Sequence, residues 1–162
     1  MKIRFTKGTG KEKPGTMVCL RDDGTQTWNA LTHNFAQHDL AHYVVETTLG
    51  LRQSFYGLVA GGVDIPDFAL PKEKRKVQIP PEAVQTEHIV GHLQVEMADG
   101  ALIEDFNASL ASACAVLGQP APPAIPPEKL ELMRTRIREI WTRWQLLPPG
   151  GSLELEFPAL GC

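Results

Sequence analysis

The chain has 162 residues, 43% of them hydrophobic and 22% charged, and sixteen Lys and Arg against nineteen Asp and Glu give a formal net charge of −3. That apolar content excludes intrinsic disorder of the whole chain and suits a single domain, 1–162, with a real core. No apolar run approaches the ~18 residues of a membrane-spanning helix, and the slight acidity argues against nucleic acid as a partner.

Met1 to Lys7 alternates Ile3 and Phe5 with Lys2, Arg4 and Thr6, the two-residue period of a half-buried strand. Residues 8–15 read as a turn, Thr16 to Arg21 as a second strand, and Asp22-Asp23-Gly24-Thr25 as a hairpin leading to a third strand, Thr25 to Leu31. From Phe35 the period becomes helical. Asn34 is the candidate N-cap, and Leu40, Val44, Leu51, Phe55 and Leu58 recur on one side as far as Gly61-Gly62, with Gly50 as an interruption.

Residues 61–81 form a connection with four prolines and the run Lys72-Glu73-Lys74-Arg75-Lys76, which reads as a solvated loop. A second helix begins near Pro81-Glu82 and reaches Asp99-Gly100, and a further helical stretch covers Ala101 to Leu117. Residues 118–127 are a stiff Pro-rich crossover. Glu128 to Leu147 is the clearest helix, and Trp141 and Trp144 fall on its apolar stripe as core residues. Ser152 to Phe157 alternates as a last strand. The expectation is an α+β fold: an antiparallel sheet of about four strands, three N-terminal and one C-terminal, packed against three or four helices.

Cys19, Cys114 and Cys162 are odd in number and widely spaced, which fits a reducing cytoplasm rather than a disulfide framework. Cys114, in an Ala-rich helix, reads as buried apolar filler. Phosphate loops and a serine nucleophile elbow are absent from the sequence.

One pattern stands above this background. His38, His42 and Glu46 are spaced i, i+4, i+8, and His88, His92 and Glu96 repeat the spacing in the second helix. An i,i+4 pair stacks two imidazoles on one helix face, where they can share a zinc ion at about 2.0–2.1 Å. Eight residues rise ~12 Å, so three ligands of one helix cannot converge and a second helix must contribute. The expected site is therefore a four-histidine centre, or two centres of mixed His/Glu ligation, for zinc or another divalent transition metal. Its ligands would be His38, His42, His88 and His92. Glu46 or Glu96 would be a further ligand or general base, and Asp39 would orient an imidazole. The direction of the two helices is left open by the connector length. A metal-dependent hydrolase acting on a small molecule is one reading. The other is a non-enzymatic binding or assembly protein, a homodimer for instance, in which the histidines complete a buried polar network without metal.

His38-Asp39-Leu40-Ala41-His42 resembles the HExxH motif of zinc metallopeptidases, with Asp39 where that family carries glutamate. Over these five residues the resemblance implies His38 and His42 as zinc ligands and Asp39 in the place of the water-activating carboxylate. The wider run H-D-L-x-H-Y-x-V-E, preceded by a hairpin, resembles small bacterial proteins of unassigned function and implies no activity.

Overall fold

A computed structural model describes residues 1–10, 12–31, 35–75 and 77–158. Asn34, Lys76 and Cys162 lie outside these residues. Four strands, β1 (Lys2–Thr6), β2 (Gly15–Leu20), β3 (Gln26–Leu31) and β4 (Ser152–Glu156), form one antiparallel sheet of order β3-β2-β1-β4. The register pairs Ile3 with Cys19 and with Leu155, and Phe5 with Met17 and with Leu153. The two-residue period therefore carries Ile3, Phe5, Met17, Cys19 and Leu153 to one buried face. Trp28 stands on the opposite face with Val18 and Arg4, 58% exposed.

Helices α1 (Phe35–Leu49), α2 (Phe55–Ala60), α3 (Pro81–Asp99), α4 (Phe106–Val116) and α5 (Pro127–Leu146) follow, with short 3-10 turns at Ile65–Ala69 and Lys72–Lys74 between α2 and α3. The helix expected from Phe35 to about Ala60 is two helices. Gly50 takes a left-handed φ of +73°, and the Leu51 amide donates back to the Glu46 carbonyl at 3.0 Å. That six-to-one bond is a Schellman stop, which only a residue tolerant of positive φ allows at no cost. Likewise Gly100, at φ +68°, ends α3, and the next helix starts at Phe106 rather than Ala101. The Asp105 side chain caps it by accepting from the Ala108 amide at 3.0 Å.

A single apolar cluster runs from the sheet through α1, α3, α4 and α5. It includes Trp144, packed edge-on to Phe5, and Cys114, the expected filler. Lys7, at the end of β1, donates to the Gln145 and Leu147 carbonyls at 3.0 and 2.8 Å, so a cation closes the C-terminus of α5. Asn107 clasps both backbone groups of Ile125 and so holds the Pro-rich crossover against α4. Among the described residues, no helix is long and apolar enough to cross a membrane.

α1 is the central helix. It packs on both α3 and α5. Leu40, Ala41, His42, Val44, Val45 and Glu46 are all buried, an arc of more than half its circumference. That arc puts two polar side chains, His42 and Glu46, inside the protein.

Candidate metal centre

The contacts between α1 and α3 set their direction. Gln37 meets Met97, His38 meets Gln94, and His42 meets Glu87, so residue numbers rise on one helix as they fall on the other. The helices are antiparallel. Two polar ties set the register. The Ser54 and Thr86 hydroxyls, both buried, lie 2.6 Å apart, and Glu82 accepts from the Arg52 and Gln53 amides. Thr86 is next to Glu87 in α3, so these ties bring the Glu87 carboxylate opposite the histidines of α1.

His38, His42 and Glu87 each offer one ligand atom within 4.8 Å of the others. His42 Nε2 lies 3.1 Å from Glu87 Oε1, and His38 Nε2 lies 3.4 Å from Glu87 Oε2. The imidazoles meet edge to face with centroids 4.7 Å apart. Their other nitrogens point away from this group. His38 Nδ1 lies 3.1 Å from Gln94 Oε1, and His42 Nδ1 lies 3.4 Å from Glu46 Oε1. When the Nε2 atoms serve as ligands, each Nδ1 carries the proton and faces an oxygen, the outer arrangement of metal-binding histidines. The Glu46 contact is one of charge: His42 Nδ1 is buried and out of line for a hydrogen bond.

Glu46 itself is 0% exposed. Its carboxylate accepts from the Tyr56 amide at 2.9 Å and the Gly57 amide at 3.1 Å, the second and third residues of α2. Ser54, at the N-cap position of α2, turns its hydroxyl to Thr86 instead. A carboxylate from α1 thus does the capping of α2. A Cβ at Gly57 would overlap the Arg52 carbonyl, so glycine is required where the two helices meet. On the far side, Arg21 ties α2 to the β2–β3 turn by donating to the Val59 and Val63 carbonyls and to Asp64.

These surroundings set the protonation of the site. Burial lowers the His42 pKa, but the Glu46 and Glu87 carboxylates outweigh it and raise the ring to about 9. Glu87 raises His38 as well. For Glu87, desolvation is outweighed by the two imidazoles, which hold it below the usual carboxylate range. Burial raises Glu46, against the pull of His42 and the α2 amides. Burial pushes Asp39 up to about 6, although His38 and His42 pull it down.

The residues singled out by the repeated spacing therefore divide. His38 and His42 are brought together with Glu87. His88 and His92 are not part of this group. His92 donates from Nδ1 to the His88 carbonyl at 2.9 Å, accepts from the Ser109 hydroxyl at 3.2 Å, and packs its ring on Phe106. Glu96 forms a two-point ion pair with Arg134 at 2.6 and 2.8 Å and accepts from the Ile103 amide. Glu46 is committed to the α2 amides and to the back of the His42 ring, and Glu96 to Arg134 and Ile103, so neither joins the His38–His42–Glu87 group. Asp39 shares its helix with the ligands, but Gln94 and Glu46, not Asp39, face the Nδ1 atoms. Glu87 stands one position before the second histidine motif. One helix residue is a rotation of about 100°, enough to separate the α1-facing side from the His88–His92–Glu96 side. Val95, on the latter side, is 51% exposed.

Two imidazoles and a carboxylate, with further oxygens behind the rings, suit a divalent transition metal. Comparison of the chain with protein-family models, with curated proteins and with solved structures finds no match in any of the three.

Proposed function

We propose that the protein binds zinc through His38 Nε2, His42 Nε2 and the Glu87 carboxylate and is a metal-dependent hydrolase. The observation that carries this reading is the convergence of two Nε2 atoms on one carboxylate while both Nδ1 atoms face oxygens. Three protein ligands leave a coordination position for water, the hallmark of a catalytic rather than a closed structural zinc site. Zinc in such a site supplies a water whose pKa falls to about 7.

The chain's own groups complete the arrangement. Glu46 stands behind His42, its carboxylate facing Nδ1, the atom that carries the ring's proton when Nε2 is a ligand. Asp39, next to His38 in α1, is the candidate proton acceptor. This is also the role that the resemblance to HExxH peptidases gives that position.

A second reading is favoured by the His42 pKa of about 9. Without metal, the ring at neutral pH is an imidazolium between the Glu46 and Glu87 carboxylates, a self-sufficient buried ion network in a binding or assembly protein. Melting with and without a chelator separates the two. Under the zinc reading, removal of metal lowers Tm and added zinc restores it. Under the network reading, Tm is indifferent to both.

A further inference from the structure

The Pro-rich crossover between α4 and α5 is pinned at two points. Gln85 of α3 donates from Nε2 to the Pro120 and Ala121 carbonyls at 3.2 and 3.3 Å, and Asn107 holds both backbone groups of Ile125. Pro122 and Pro123, between the pins, have no amide proton to satisfy, so this span can bridge open space without leaving donors bare. Beneath it lies a cavity of about 310 Å³.

The walls of the cavity are mainly apolar. Leu49 and Leu51, on either side of the Gly50 turn that ends α1, line it with Ile89, Pro122, Ile125 and Pro126. Small-molecule sites have this character, roughly 300–1,000 Å³ of apolar wall with a few polar groups to orient the ligand. At about 100° per residue, Glu82, Gln85 and Ile89 lie on the flank of α3 turned away from Glu87, so the cavity is separate from the histidine cluster.

Two charged side chains reach the cavity, and they differ. Glu82 is exposed, and its Oε1 already accepts the Arg52 and Gln53 amides. Lys129 is only partly exposed, and among the described residues nothing pairs with its ammonium. It is the third residue of α5, where the helix dipole disfavours a cation. Glu128, beside it in the chain, is exposed and is not part of the cavity wall. The unmet charge at the cavity is therefore positive.

We propose that this cavity binds a medium-chain carboxylic acid, its alkyl chain along Leu49, Leu51 and Ile89 and its carboxylate on Lys129 Nζ. The site is independent of the metal reading. Burial of methylenes supplies the affinity, and the ion pair selects the headgroup.

The test titrates the full, isotope-labelled chain with octanoate and follows its amide NMR shifts. Saturable shifts are expected at Leu49, Ile89, Ile125 and Lys129. Butanoate, whose tail is too short to fill the cavity, is expected to bind at least about tenfold more weakly. Octylammonium, with the same tail and the opposite charge, is expected to bind about tenfold more weakly as well. Lys129→Met is expected to weaken octanoate about tenfold and to remove the preference over octylammonium. Ala124→Phe, which fills the cavity from the crossover and leaves Lys129 in place, is expected to abolish saturable binding. Octylammonium bound as tightly as octanoate, unchanged octanoate affinity in Lys129→Met, or an unaltered chain without saturable shifts overturns the proposal.

Discussion

Glu46 on α1 accepts the Tyr56 and Gly57 amides at the start of α2 while its Oε1 lies 3.4 Å from Nδ1 of His42. One buried carboxylate thus joins the capping of a helix to the placing of an imidazole. Glu46→Ala is expected to cost about 3–5 kcal/mol in urea unfolding, because it leaves the buried Tyr56 and Gly57 amides without their acceptor and the His42 ring without its counter-charge. In a variant that still folds, zinc affinity is expected to fall about 10–100-fold, the usual consequence of removing a group behind a ligating histidine. Calorimetric titration with zinc measures it.

The pH dependence of the metal-free protein has a defined sign. The folded His42 ring holds its proton to about 9, against 6.5 for an ordinary histidine. Its contribution to stability is complete below the ordinary value and is lost as pH rises through about 9. Asp39, raised from 3.8 to about 6, acts in the same sense at lower pH. Glu87, held low, acts oppositely and favours the fold above the ordinary carboxylate range. Urea midpoints of metal-free protein are therefore expected to fall between pH 6.5 and 9. Zinc competes with the ring proton, so the rise in Tm on adding zinc is expected to grow with pH from about 6 to 8.

Arg134 and Glu96 supply a control remote from the centre. Their pair joins α3 to α5, and Glu96 also holds the Ile103 amide. Arg134→Met is expected to destabilise the protein by about 3 kcal/mol, since it leaves a buried carboxylate without its cation. Zinc stoichiometry is expected to be unchanged. Unfolding curves and metal analysis on the same sample check both.

Much of this architecture is legible in the residues. Ile3 and Phe5 alternate with Lys2 and Arg4, and Leu153 lies between Ser152 and Glu154, so the strands and their buried face follow from a period of two. Gly50 and Asp99-Gly100 mark where helices stop, but a periodic stripe continued past Gly50 hides the short α2. His38 and His42 are legible because i,i+4 spacing is a local property. Glu87 is not, because its role depends on which face of α3 meets α1. That face is set by the packing of Thr86, Val90 and Leu93 and by the Ser54–Thr86 tie, contacts between distant parts of the chain. The repeated spacing led instead to His88, His92 and Glu96, whose side of the helix is turned to Ser109, Phe106 and Arg134.

Replacement of Glu87 by glutamine separates the ligand set from the motif that sits beside it. Glu87→Gln keeps the side-chain size at a half-exposed position and is expected to leave the fold intact, with the His42 ring losing one of the two carboxylates that raise its pKa. In an NMR titration of the metal-free protein, the His42 ring is expected to titrate at a lower pH than in the unaltered chain.

The most direct measurement is zinc per chain by elemental analysis after loading and desalting. The unaltered protein, His38→Ala, Glu87→Gln and His92→Ala are compared, each checked for folding. About one zinc is expected in the unaltered protein and in His92→Ala, and loss of stoichiometric zinc in His38→Ala and Glu87→Gln. Zinc retained in Glu87→Gln but lost in His92→Ala, or absent from the unaltered chain, would contradict it.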